Sequence, residues 1–112
     1  MPIEQDVRIY ATRQGREPFT EWLQKLDRAV RTKVRTRLDR ISLGNFGDHR
    51  ALDDGVFELR IHFGAGYRIY FGREGNTIVI LLYGGAKGSQ SRDIERAKEY
   101  WRDYRSQQYG KT

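Results

Sequence analysis

Residues Glu58–Phe71 read ELRIHFGAGYRIYF, and this stretch decides the fold. Apolar and polar residues alternate on either side of a Gly-Ala-Gly segment, as they do in two antiparallel strands joined by a short turn. Six apolar side chains fall on one face of such a hairpin: Leu59, Ile61, Phe63, Tyr67, Ile69 and Phe71. The stretch therefore predicts a half-buried β-hairpin whose other face is polar.

The register of this hairpin follows from the length of its turn. A three-residue turn over Gly64–Gly66 pairs residue 63 with 67, 61 with 69 and 59 with 71, so the apolar side chains meet on one face. A two-residue turn would mix the two faces, which burial of one face disfavours. On the polar face, the three-residue turn predicts that His62 pairs with Arg68 and that Arg60 pairs with Tyr70.

A third strand is predicted directly after the hairpin. The segment from Thr77 to Tyr83, TIVILLY, is apolar on both faces, which is typical of the central or most covered strand of a sheet. A tight turn at Gly75-Asn76 would pair residue 71 with 80 and 68 with 83, and this brings Tyr83 to the face of Arg68. Lys87 follows in the glycine-rich segment GGAKGS.

The elements outside these strands complete a small α+β fold. The N-terminal DVRIYAT alternates and predicts a strand, and Pro18 suits the first turn of a helix. Apolar residues at helical spacing predict a second helix from Arg28 to Leu43 and a third within RDIERAKEYWRDY. The predicted order is β-α-α-β-β-β-α, a single domain over residues 1–112 with an antiparallel sheet packed by two N-terminal helices.

Composition narrows the classes of function. Lys and Arg number 21 against 15 Asp and Glu, giving a net charge of +6 and an isoelectric point near 9.8, which favours a polyanionic partner such as nucleic acid. The absence of cysteine excludes disulfides and thiolate sites, and two histidines argue against a metal site. No apolar run approaches the ~20 residues of a membrane span, and the N-terminus lacks an apolar secretory segment. We expect a cytoplasmic protein without a cofactor.

The polar face of the hairpin has the composition of an anion site. Arg60, His62 and Arg68 lie close together there with Glu58 as the one nearby acid, so these cations repel one another unless an anion is bound. Phosphate suits them because a guanidinium binds it with two parallel hydrogen bonds. The alternative is a solvated face without a ligand.

The segments GVFELRIHFGAGYRIYF and VILLYGGAKGSQSRDIERA together resemble the RelE/ParE toxin superfamily, in particular its branch of addiction module killer proteins, the phage-derived HigB-like toxins. The resemblance covers nearly the whole chain and implies a RelE-like fold. It also implies the toxin of a type II toxin–antitoxin pair. RelE-like members enter the ribosomal A site and cut mRNA without a metal, using basic residues on the sheet face and near the last strand.

Site residues can be carried over from this resemblance only where the motifs match. The arginine of the family's "YR" segment matches Arg68, that of "LR" matches Arg60, and the basic residue after the last strand matches Lys87. RelE itself has further lysines before "LR", where this chain has apolar or acidic residues. ParE-like members share the fold but poison DNA gyrase and cut nothing, so the fold alone leaves both activities open. A nucleic-acid-binding module without toxicity is a third reading.

The leading hypothesis is a ribosome-dependent mRNA endonuclease that works by attack of the ribose 2′-OH. Its predicted partners are the ribosome, mRNA and a cognate antitoxin, expected to be a small helix-turn-helix protein, and no membrane. The predicted catalytic residues are Arg60, His62, Arg68 and Lys87. The predicted RNA-binding residues are Tyr70, Tyr83, Arg50, Gln90, Arg31 and Arg35. His62 is a candidate general base or acid, while Lys87 would stabilise charge or donate a proton.

Overall fold

The computed structural model describes residues 2–109, which form a mixed five-stranded sheet with helices on both faces. Its elements in chain order are β1 (Asp6–Ile9), α1 (Pro18–Gln24), α2 (Arg28–Ser42), β2 (His49–Ala51), β3 (Val56–Ile61), β4 (Tyr67–Glu74), β5 (Ile78–Ala86) and α3 (Gln90–Tyr109). Short 3-10 turns over Asp53–Gly55 and Lys87–Ser89 precede β3 and α3. The two N-terminal helices begin where the sequence predicts them.

The strands lie in the order β1-β5-β4-β3-β2, and the predicted antiparallel meander of β3, β4 and β5 is confirmed. Two features of the predicted sheet are wrong. Strand β1 pairs parallel, not antiparallel, to β5. The chain leaves β1 through α1 and α2, which pack on one face of the sheet, and returns to the sheet at its opposite edge to begin the meander. Strand β2 was missed because its three residues, His49–Ala51, are all exposed and too few to show an alternating pattern.

The predicted register of the β3–β4 hairpin is wrong by two residues. Ile61 pairs with Tyr67 and Arg60 pairs with Arg68, so the connection contains five residues rather than three. Strand β3 ends at Ile61, before His62. Within the loop that follows, Gly66 donates its backbone N–H to the carbonyl of Phe63. Because side chains alternate with a period of two, a shift of two residues preserves the predicted faces but changes every partner.

The predicted register of β4 and β5 also needs correction. Glu74 pairs with Ile78 across a three-residue turn, and a bulge shifts the register between Tyr70 and Phe71. Tyr70 consequently lies opposite Tyr83, and Arg68 lies opposite Gly85 instead of Tyr83. An extra residue in one strand leaves no periodic signal in so apolar a segment, so the bulge could not be predicted.

Each face of the sheet has its own apolar core. Phe19 of α1 and Val34 of α2 pack on the face that carries Leu59, Ile69 and Phe71. The second core lies under α3 and consists of Tyr10, Val56, Tyr70, Ile80, Leu82, Ala97 and Trp101. Arg60, Arg68 and Glu58 alternate with the first core and therefore belong to the face of α3. Among residues 2–109, no helix is both long and apolar enough to cross a bilayer.

Candidate nucleic-acid site around a buried glutamate

Glu58 lies at the centre of the polar face, and its side chain is 0% exposed. Its Oε1 atom accepts hydrogen bonds from Nε of Arg50 at 2.9 Å and Nε of Arg60 at 3.4 Å, and it lies 3.7 Å from Nη1 of Arg68. Its Oε2 atom accepts a hydrogen bond from Nε2 of Gln90 at 2.8 Å. The carboxylate of Glu58 is thus contacted by one side chain from each of four elements, namely β2, β3, β4 and the start of α3.

The electrostatics of this cluster keep Glu58 ionised. Burial alone would raise the pKa of Glu58, but hydrogen bonds from Gln90 and Arg50 and the charges of Arg50 and Arg68 together lower it below its ordinary value. Three guanidinium groups around one carboxylate leave a local excess of positive charge. Arg60 is 34% and Arg68 13% exposed, so both are part-buried charges beside open solvent.

The four predicted catalytic residues line one open cavity of about 360 Å³ at the end of the β3–β4 hairpin. Arg60 belongs to β3, Arg68 to β4 and His62 to the loop between them, while Lys87 follows β5. The backbone N–H of Lys87 donates to the carbonyl of Gly66, which ties the segment after β5 to the hairpin loop. The structure therefore brings these four side chains around one cavity, although through a different register from the predicted one.

His62 does not pair with Arg68 but contacts an acidic residue that the sequence analysis did not consider. Its Nε2 atom lies 2.5 Å from Oδ2 of Asp48, and its side chain is 73% exposed. The hydrogen bond from His62 is the largest influence that lowers the pKa of Asp48. Asp48 is held in place through its backbone, because its carbonyl accepts the N–H of Arg60. The imidazole is thus tied to the strand that carries Arg60.

The two tyrosines predicted to bind RNA lie under α3. Tyr70 is fully buried, and its ring therefore has no surface for a base to stack on. Burial, followed by the negative charges of Glu58 and Asp93, raises the pKa of Tyr70, so its hydroxyl keeps its proton. Tyr83 is half-buried and makes an edge contact with Tyr100 at a centroid distance of 5.7 Å.

Two buried polar atoms at the site have no hydrogen-bond partner within the described part of the chain. They are the hydroxyl of Tyr70 and Nε of Arg68, on neighbouring positions of one face of β4. A buried polar group without a partner costs free energy comparable to that of a missing hydrogen bond. Both atoms lie on the face of the sheet that carries Glu58.

The remaining predicted RNA-binding residues divide into two groups. Arg50 and Gln90 belong to the cluster, since both donate to Glu58. Arg31 and Arg35 do not, because α2 packs on the other face of the sheet. Helical rotation of ~100° per residue also places them on the far side of α2 from Lys33, which lines a second cavity with His62. These two arginines form a separate cationic surface.

Sequence reasoning missed Glu58 as the centre of the site and Asp48 as the partner of His62. The signal for Glu58 was present, because it is the one acid among the predicted cations of the polar face, and a carboxylate on a covered face needs paired cations. No local pattern indicated Asp48, since its contact with His62 spans 14 residues and depends on the length of the hairpin loop. Within residues 2–109 no group of three His, Asp or Glu side chains could hold a metal ion.

Comparison with known proteins shows the family of this chain and a relative. Residues 21–102, which include the whole cluster and its cavity, match the family described as Phage derived protein Gp49-like (DUF891). An uncharacterized protein of Haemophilus influenzae is 46% identical to this chain over 81 residues. That alignment covers 71% of this chain and 82% of the relative.

Proposed function

Because the chain belongs to the phage-derived Gp49-like family, we propose that it is the toxin of a type II toxin–antitoxin pair and that it cuts mRNA on the ribosome. The observation that carries this proposal is the cavity at the end of the β3–β4 hairpin. Two part-buried arginines, a histidine paired with a carboxylate, and a lysine surround it. This set matches the needs of metal-free RNA cleavage, namely charge stabilisation and proton transfer.

Arg60 and Arg68 are suited to bind the scissile phosphate. They are directly opposed in the sheet, and an arginine recognises two phosphate oxygens at once. As the ribose O2′ attacks phosphorus, negative charge grows on the non-bridging oxygens, which these cations stabilise. One donor aimed at developing charge is worth about 3–4 kcal/mol of activation free energy.

His62 is suited to accept the proton of the attacking 2′-OH. We assign the neutral tautomer in which Nε2–H donates to Asp48, so that Nδ1 carries the lone pair. The O2′–P bond forms and the P–O5′ bond breaks, and the departing O5′ takes a proton, for which Lys87 is the proposed donor. The products are a 2′,3′-cyclic phosphate and a 5′-hydroxyl, and no metal or other cofactor takes part.

A cognate antitoxin is part of the same proposal. An acidic segment of that partner would neutralise the part-buried arginines of the cavity from its open side, or it would displace α3 and with it the contact between Gln90 and Glu58. The first mode would occupy the phosphate position, and the second would disturb the contacts that hold the arginines there. A small helix-turn-helix protein encoded beside this chain is the expected partner.

Primer extension on cellular mRNA after brief expression tests the proposal. The wild-type protein should produce discrete cuts within translated regions, and Arg68→Ala should remove them at similar protein levels. Arg102→Ala, an exposed arginine of α3 away from the cavity, is the matched control and should leave the cuts unchanged. Growth arrest without mRNA cuts but with trapped DNA breaks would instead identify a gyrase poison of the ParE kind. Salt-sensitive RNA binding without toxicity would identify a binding module.

A further inference from the structure

Glu58 is the one charged residue of the site that cannot contact RNA, because its side chain is fully buried. Nevertheless, it is the common acceptor for Arg50 and Arg60 and the nearest anion to Arg68. Resting on the function proposed above, we infer that Glu58 is a positioning residue. It fixes the three guanidinium groups in the geometry of a phosphate site and neutralises part of their charge while the site is empty.

The contacts of the arginines support this assignment. A guanidinium has five N–H donors, and Arg50 and Arg60 each use only Nε on Glu58. Their Nη donors are not consumed by the carboxylate and remain for a second anion. Glu58 therefore orients Arg50 and Arg60 through their Nε atoms and leaves their Nη atoms open to phosphate.

The support of Glu58 itself points the same way. Gln90, the first residue of α3, donates to Oε2, so Oε1 is left facing the arginines. Tyr70 lies directly opposite Glu58 in the sheet and is fully buried. A carboxylate fixed by strand pairing on one side and by a helix residue on the other has little freedom to turn away. Rigid support of this kind is what a preorganised charge site requires.

Two opposite effects follow from removing this charge. Glu58→Gln keeps the size of the side chain but leaves three arginines without their carboxylate. Anions should then bind more tightly because less charge is neutralised, whereas cleavage should slow because the arginines lose their orientation. A residue needed only for folding would weaken binding and cleavage together.

The binding effect can be measured without any cleavage. Inorganic phosphate is titrated into the full chain while the Nε–H resonances of its arginines are followed by NMR. We expect half-saturation of Glu58→Gln at a phosphate concentration at least fivefold lower than for the wild type. Glu21→Gln is the matched control, because it changes the net charge equally. It removes a carboxylate of α1 that forms an ion pair with Arg16, away from the cavity. It should bind phosphate like the wild type.

The catalytic effect is measured as the single-turnover rate of mRNA cleavage on programmed ribosomes. With saturating protein, Glu58→Gln should cut at least tenfold more slowly, while the concentration for half-maximal rate stays equal or falls. Gln90→Leu frees Oε2 without changing the net charge and should lower the maximal rate alone. This second variant keeps the test decisive if Glu58→Gln does not fold.

The outcomes separate this inference from the function on which it rests. Equal phosphate affinity in Glu58→Gln and Glu21→Gln, or an unchanged maximal rate in Gln90→Leu, would overturn the role of Glu58 even in a protein that cuts mRNA. A wild-type protein that cuts no RNA would overturn the proposed function. The phosphate titration would still decide whether Glu58 governs an anion site.

Discussion

At the scale of single residues, Glu58 is a buried carboxylate that holds the arginines of a surface site, although its burial costs free energy. A buried carboxylate needs paired charges and hydrogen bonds to remain ionised. Arg50 and Gln90 supply short hydrogen bonds, and Arg60 and Arg68 supply further positive charge. The same contacts that keep Glu58 charged hold two arginines at the wall of the cavity, so stability and anion binding depend on one group.

The stability of the protein should depend on pH through Glu58. Its pKa in the folded protein lies below the ordinary value of 4.5, so its stabilisation is complete above pH 4.5 and is lost as pH falls through the folded pKa. Urea unfolding should show Glu58→Gln less stable at neutral pH by about 1–3 kcal/mol. This difference should shrink steadily below pH 4.5. A difference that stays constant or grows on acidification would contradict the ionised state of Glu58.

His62 and Asp48 should act as a pair in cleavage. Losing a general base typically slows a reaction by about 10²–10⁴-fold, so His62→Ala should reduce the single-turnover rate by that factor. Asp48→Asn should reduce it less and should not slow His62→Ala any further. Cleavage rates of the two single variants and the double variant measure this coupling. Independent, multiplicative losses would show that the contact between Asp48 and His62 has no catalytic role.

Secondary structure, the β3–β4–β5 meander and the two faces of the hairpin were predictable at the scale of elements, whereas the residue register between the strands was not. The alternation of apolar residues from Leu59 to Phe71 defines which side chains share a face, and a shift of two residues leaves that pattern unchanged. The five-residue loop and the bulge near Tyr70 depend on tertiary contacts, such as the bond between Lys87 and Gly66. Arg60 and Arg68 were therefore expected on one face, but the pairing of Arg68 with Arg60 instead of His62 was not.

The packing of α3 on the sheet depends on a glycine in β4. A Cβ atom at Gly72 would lie 2.4 Å from the ring of Trp101, which is itself buried. Gly72→Ala should therefore push α3 away and cost about 1–3 kcal/mol of unfolding free energy. Gly88→Ala is the matched control, because a Cβ atom there meets nothing within 4 Å in the described part of the chain. Urea unfolding of both variants provides the measurement, and equal losses would contradict this packing.

At the scale of the whole molecule, residues 2–109 include cationic surfaces on opposite faces of the sheet. Arg60 and Arg68 lie at the cavity on the face of α3, while Arg31 and Arg35 lie on α2. A single RNA strand in the cavity cannot reach the second surface through the sheet. On the proposed function, the cavity performs the cleavage and the surface on α2 attaches the toxin to ribosomal RNA.

Removing the charges on α2 should weaken attachment without changing the chemistry. The double variant Arg31→Gln/Arg35→Gln should need a higher concentration for half-maximal cleavage on ribosomes, with an unchanged maximal rate. The dependence of log affinity on log salt should become shallower by about 0.7–0.9 for each phosphate that the protein no longer neutralises. The control is Arg8→Gln/Arg16→Gln, whose arginines are already paired with Asp6 and Glu21. Equal effects of both double variants would show that only net charge matters.

The most direct measurement of the central claim is the chemical analysis of RNA ends after purified protein acts on programmed ribosomes. We expect a 2′,3′-cyclic phosphate or 3′-phosphate on the upstream fragment and a 5′-hydroxyl on the downstream one. We also expect that Arg68→Ala yields neither fragment. Intact mRNA with the wild-type protein, or fragments ending in a 3′-hydroxyl and a 5′-phosphate, would contradict cleavage by 2′-OH attack at this cavity.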